Sequence, residues 1–160
     1  MSNGPEVGDK APDFTLPGLR LSDDSVERGE YTLSAQAGHP VVLAFYPGDE
    51  TKVCTRQMCS YSSGMEEFTG LNATVWGISP QDLDSHEAFA RKHGLRQPLL
   101  ADVEREVVRA YGIGLGGSLR RSVFIIDGEG VLRYKHVALV GVTYRGTDTL
   151  VRELTALGAS

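Results

Sequence analysis

Apolar residues recur along this chain in three rhythms, and each predicts a kind of element. The continuous runs "PVVLAFYP" (Pro40–Pro47) and "ATVWGISP" (Ala73–Pro80) each end at a proline, as strands buried on both faces do, and a helix is expected after the first. "DSHEAFARKHGL" (Asp84–Leu95) opens on capping residues and closes on Lys-His-Gly, which are helix start and stop signals. "DVEREVVRAYG" (Asp102–Gly112) sets Val103, Val107 and Tyr111 on one helical stripe, with Gly112 to end it. "SVFIIDGEGVLRYKHVAL" (Ser122–Leu139) reads as two strands joined by an Asp-Gly-Glu-Gly turn, and "TDTLVRELTAL" (Thr147–Leu157) as an amphipathic helix capped by Thr147 or Asp148. The stretch Leu19–His39 has no clear period and is expected to be irregular or short-stranded. The order β-α-β-α-α-β-β-α predicts an α/β fold, a central mixed sheet flanked by helices on both faces.

Composition narrows the setting. No linker, repeat or low-complexity tract divides the 160 residues, so residues 1–160 are expected to form one domain large enough to bury a core without disulfide or metal staples. Hydrophobic residues at 41% and charged residues at 23% match ordinary globular proteins, and no apolar run approaches the roughly 20 residues of a membrane-spanning helix. "MSNGPEVGDKAPDF" has neither a basic n-region nor an apolar h-region, so a cytoplasmic protein is expected, in a compartment where disulfides are usually transient. The net charge is −5 and no Lys/Arg run is longer than a doublet, as at Arg120-Arg121, which argues against a nucleic-acid partner.

The only two cysteines, Cys54 and Cys59, lie in "FYPGDETKVCTRQMCSY" (45–61), where a buried strand gives way to a helix. Most free cysteines only pack. A structural zinc site needs about four ligands, which two cysteines without a nearby histidine do not supply. His39, His86, His93 and His136 are scattered and read as surface or core-edge residues; His86 and His93 share a helix face but stand about 10 Å apart, too far to hold one ion. Cys54 differs from a packing cysteine in its position. It falls near the first turn of the helix, where unpaired N–H groups and the positive end of the dipole favour a thiolate. A thiolate can attack the O–O bond of a peroxide and become a sulfenic acid. Were both cysteines in one regular helix, their Cα atoms would be about 8–9 Å apart, whereas a disulfide needs less than about 7 Å. Either the pair never bridges, or the first turn unwinds to let it.

"FYPGDETKVCT" resembles the peroxiredoxin signature Pro-x-x-x-Thr/Ser-x-x-Cys, here Pro47, Thr51 and Cys54, and a second cysteine five residues on resembles the peroxiredoxin Q branch, also called bacterioferritin comigratory protein. "GDKAPDFTLP" (Gly8–Pro17), "PLLADVEREVVRAYGI" (Pro98–Ile113) and "RSVFIID" (Arg121–Asp127) resemble the same family in the same order. The resemblance implies a thioredoxin-like fold and a thiol-dependent peroxidase without a cofactor. It makes Cys54 the peroxidatic cysteine, with Thr51 bonding thiolate and peroxide, Pro47 shielding the sulfur and Arg121 holding both by its charge. Cys59 would then resolve the sulfenic acid as an intramolecular disulfide, reduced in turn by thioredoxin or a similar dithiol protein. A monomer or weak homodimer is implied as well. Many relatives carry Glu three residues after the peroxidatic cysteine; here Gln57 keeps the means for a hydrogen bond and removes a charge.

Two other function classes compete with this one. A thioredoxin-like thiol–disulfide oxidoreductase typically uses Cys-x-x-Cys, and here four residues intervene. A redox-sensing binding module would use the thiols only to report oxidation. "GIGLGGSLRR" (Gly112–Arg121) leaves a helix and enters a strand, the reverse of a phosphate-binding loop. "NAT" (Asn72–Thr74) matches a glycosylation sequon that has no meaning without secretion. Arg120 reads as solvated, since alternation at a strand start lets one arginine of the doublet point inward.

Overall fold

The computed structural model describes residues 4–22, 25–49, 51–115, 118–138 and 146–158. In chain order its elements are β1 (Thr15–Ser22), β2 (Ser25–Thr32), a 3₁₀ turn (Leu33–Gln36), β3 (Val41–Phe45), α1 (Lys52–Ser63), α2 (Met65–Gly70), β4 (Thr74–Ser79), α3 (Leu83–His93), β5 (Leu99–Ala101), α4 (Glu106–Ala110), β6 (Gly114–Leu115), β7 (Ser118–Leu119), β8 (Ser122–Ile126), β9 (Leu132–Val137) and α5 (Thr147–Gly158). Among the described residues, seven strands form one sheet in the order β2-β1-β5-β4-β3-β8-β9, and β6 pairs with β7 apart from it.

β3 is continuously apolar because it lies at the centre of two cores. Val42, Ala44 and Tyr46 face one layer with Met58, Tyr61, Phe68, Phe89, Leu150 and Leu154, which come from α1, α2, α3 and α5. Val41, Leu43 and Phe45 face the other, against Trp76, Val107, Val108, Tyr111 and Phe124. In that second layer Tyr111 and Phe124 meet edge-to-face with centroids 5.0 Å apart. β3, β4 and β5 run parallel, linked by the helical crossovers α1–α2 and α3, whereas β8 runs antiparallel along the other side of β3. The sheet is mixed and carries helices on both faces, as the pattern predicts.

The helix over 84–95 forms as Leu83–His93, capped by the Asp82 carboxylate, which accepts from Ser85 N–H at 2.8 Å, and ended by Gly94 in the left-handed region at φ 61°. The Ser122–Leu139 hairpin is β8 and β9, joined through a turn in which the Asp127 carboxylate accepts from the Glu129 and Val131 amides; Leu139 lies outside the described residues.

Three expectations are corrected. Leu19–His39 is not irregular: β1 and β2 pair in register from Thr15↔Thr32 to Ser22↔Ser25. Its period is hidden because β2 is an edge strand with no buried residue, so almost nothing in "SVERGEYT" is apolar. β5 is a strand of three residues, too short to announce itself. The helix over 102–112 shrinks to Glu106–Ala110: the Asp102 carboxylate caps it by accepting from Val108 N–H at 2.9 Å, Arg105 takes φ 58°, and Val103 stays 54% exposed off the stripe. Thr147 donates its hydroxyl to the Ser60 carbonyl at 3.1 Å, so α5 docks against α1.

Candidate active site

The site forms where the parallel strands end. Tyr46 N–H donates to Ile78 C=O at 3.0 Å, extending β3 by one residue before Pro47 and Gly48 turn the chain toward α1. Thr51 has extended backbone angles and its C=O accepts the first helical bond, from Thr55 N–H at 2.9 Å. Cys54 is thus the third residue of α1, inside the turn whose N–H groups have no helical acceptor. Its burial is complete, between Met58 and Tyr46 in the α1-side core.

Register brings the arginine. Ser122 pairs with Phe45, so the residue before β8 lies level with the end of β3; Ala138 N–H fixes it by donating to Arg121 C=O at 2.8 Å. From there the Arg121 side chain, 4% exposed, donates through Nη1 to Cys54 Sγ at 3.2 Å and to Gln57 Oε1 at 2.7 Å. Gln57 lies three residues after Cys54, one turn along the same helix face, and its Nε2 donates to Tyr61 Oη at 3.1 Å. The hydrogen bond anticipated for Gln57 exists, and it is made by an amide oxygen. A guanidinium within hydrogen-bond reach of the sulfur distinguishes Cys54 from a cysteine that merely packs.

The remaining sequence-derived residues stand further out. Thr51 is exposed, and its hydroxyl donates to Gly48 C=O at 3.1 Å. Pro47 is half-buried in the same turn. Cys59 is half-buried on α1, no disulfide joins it to Cys54, and the helix runs unbroken through both. On either side of it α1 is pinned: Gln97 Nε2 donates to Met58 C=O at 3.0 Å and Arg96 N–H to Ser62 Oγ at 2.9 Å. A 480 Å³ hollow lined by Lys10, Asp13, His39 and Asp127 includes no residue of this site.

His86 overturns its expected place at the surface or core edge. It is fully buried, with Nδ1 2.7 Å from Asp49 Oδ2 and Nε2 3.0 Å from Leu100 C=O. Asp49, two residues before Thr51, accepts also from Tyr46 Oη at 2.8 Å and Ser85 Oγ at 2.7 Å. Burial first, then the Asp49 carboxylate and the Cys54 charge, push the Tyr46 phenol well above its ordinary range, so it stays a donor. A signal existed in the sequence: His86, Phe89 and Ala90 fall at i, i+3 and i+4, the spacing of a buried stripe.

With this geometry in view, comparison with known proteins gives the class. The model of the AhpC/TSA family matches residues 7–135, and the chain belongs to that family, the peroxiredoxins. Its curated relatives narrow this to the peroxiredoxin Q kind: Peroxiredoxin Q, chloroplastic, of Triticum aestivum is 38% identical over 136 residues, which are 83% of this chain and 62% of that protein. Peroxiredoxin 2 of Thermoplasma acidophilum is 32% identical over 159 residues, 94% of this chain and 75% of that one. The chain thus spans about three-fifths of the Triticum protein's length. Among solved structures, Mycobacterium bovis AhpC superposes with a TM-score of 0.87 at 26% identity, covering 98% of this chain and 94% of that one. The reduced 2-Cys peroxiredoxin of Plasmodium vivax, at 24% identity and a TM-score of 0.87 over 97% of this chain and 83% of its own, shares the fold. The fold is thioredoxin-like. Among the described residues, no helix is long and apolar enough to cross a membrane.

Proposed function

We propose that residues 1–160 form a single-domain thiol-dependent peroxidase acting on hydrogen peroxide and organic hydroperoxides. The observation that carries the reading is Arg121 Nη1 at 3.2 Å from Cys54 Sγ, in the first turn of α1. The Cys54 thiolate attacks the terminal oxygen of the hydroperoxide; the O–O bond breaks, and the leaving oxygen departs with the bonding pair and takes a proton, as water or an alcohol. Cys54 becomes a sulfenic acid. Charge grows on both oxygens as their bond lengthens, and donors fixed in advance on Arg121 and the Cys54 N–H stabilise it, joined by the Thr51 hydroxyl once it turns from Gly48 C=O. Pro47 keeps bulk water from the sulfur.

Cys59 then attacks the Cys54 sulfur and expels water to give a disulfide. Because an intact helix holds the two Cα atoms about 8–9 Å apart, the first turn must unwind before the sulfurs meet. The pins on Met58 and Ser62 support an unwinding confined to the Cys54 side. Thioredoxin or a similar dithiol protein takes up the disulfide by exchange, returning both thiols. The reading further sets the protein in the cytoplasm as a monomer or weak homodimer, to be checked by fractionation and sedimentation. The principal experiment is peroxide consumption coupled to thioredoxin, with Cys54→Ser as its control. Activity that survives Cys54→Ser removes the mechanism.

A further inference from the structure

A buried carboxylate on a short connecting turn is costly unless it is paired, and Asp49, its side chain 2% exposed, is paired with a fully buried histidine. Leu100 C=O can only accept, so His86 Nε2 carries a hydrogen; a second proton lies between Nδ1 and Asp49 Oδ2. Ser85 and Tyr46 donate to the same carboxylate. The backbone is held too: Asp49 N–H donates to Gln81 Oε1, which also lies 3.4 Å from where a Cβ on Gly48 would be. Every one of these partners belongs to the sheet end or to the start of α3, and none to α1.

From Asp49 the chain of contacts leads to the reacting sulfur. Gly48 C=O accepts the Thr51 hydroxyl, and Thr51 C=O starts the helix that carries Cys54. On the other side Pro47 is confined between Tyr46, which belongs to the sheet ladder, and the anchored Asp49. We infer that Asp49, through its buried pair with His86, is a positioning residue that sets the Pro47 and Thr51 side of the peroxide pocket and stays fixed while the turn around Cys54 unwinds. The anchor lies upstream of the unwinding turn, so it governs the peroxide step and leaves the disulfide step free.

This inference rests on the peroxidase reading, and wild-type protein is measured first: a Cys54 that does not react with hydrogen peroxide sinks that reading. Stopped-flow on the reduced protein gives the second-order constant with hydrogen peroxide and the following first-order disulfide constant. Asp49→Ala is expected to lower the first by about 10–100-fold, the scale of a misplaced reacting group, with the second changed less than about threefold. Asp49→Asn restores the first to within about threefold, because its amide can donate to an unprotonated His86 Nδ1 and its carbonyl can accept from Tyr46. Asp127→Asn, at the far end of the sheet and compared at equal thermal destabilisation, leaves the peroxide constant unchanged. If Asp49→Ala does not fold, Ser85→Ala decides, with an expected loss of about three- to tenfold for one missing bond. A wild-type peroxide constant in Asp49→Ala, or in Ser85→Ala where the first does not fold, overturns the inference, as does an equal loss in Asp127→Asn.

Discussion

Replacing Arg121 by Ala removes the cation that touches Cys54. At 3.2 Å, two unit charges interact by about 5 kcal/mol at an effective dielectric of about 20. Arg121 is 4% exposed, so solvent screens little of this, but its own desolvation offsets part. Losing one preorganised donor to a developing charge typically costs about 2.7–4 kcal/mol, or 10²–10³ in rate. The peroxide constant of reduced Arg121→Ala, followed by stopped-flow, is therefore expected to fall by about 10²–10³. Alkylation by iodoacetamide at pH 7 reports the thiolate without peroxide and should slow in the same direction. Arg121→Lys is expected between wild type and Ala, because one ammonium keeps the charge but does not reproduce the fork that reaches both Cys54 and Gln57. An Arg121→Ala protein that folds and reacts with peroxide within about tenfold of wild type would refute the claim that this contact activates the sulfur.

Cys59→Ser is expected to complete one peroxide turnover and then fail to recycle with thioredoxin, seen as a single burst and a sulfenic acid trapped by dimedone; steady turnover at the wild-type rate would remove Cys59 from the cycle. Partial burial pushes the Asp127 carboxyl up, but the Arg133 hydrogen bond and the Val131 and Glu129 amides outweigh it and hold it below the usual range. Its contribution is present above the unfolded value of about 3.9 and is lost as pH falls through the lower folded value. Asp127→Asn should accordingly cost about 1–2 kcal/mol at pH 7 in urea unfolding, a difference that narrows below about pH 4. Phe124→Ala, which empties a fully buried site against Phe45 and Tyr111, should cost about 3–5 kcal/mol in the same assay.

Elements whose burial is uniform or strictly periodic could be read in advance. β3, β4 and β8 lie inside the sheet with both faces covered, and α3 carries its own cap and stop, so local residues decide them. β2 and β5 could not be read this way. One is an edge strand whose residues face solvent, the other is three residues long, and each exists because a neighbouring strand supplies hydrogen bonds that no local pattern encodes. α4 lost its first turn for a similar reason, since the Asp102 carboxylate closes on the Val108 amide instead of starting the helix.

The candidate site divides along the same line. The amino-acid order alone fixed the spacing of Pro47, Thr51 and Cys54 and put a thiol at a helix start, because strand end, turn and first helical turn are contiguous in the chain. Tertiary structure decided which charges meet that thiol. Arg121 reaches Cys54 from 67 positions away through the β3–β8 register, and His86 reaches Asp49 across 37. Burial makes those two encounters matter: with Cys54 and His86 fully covered, no water screens the partner that folding brings beside each.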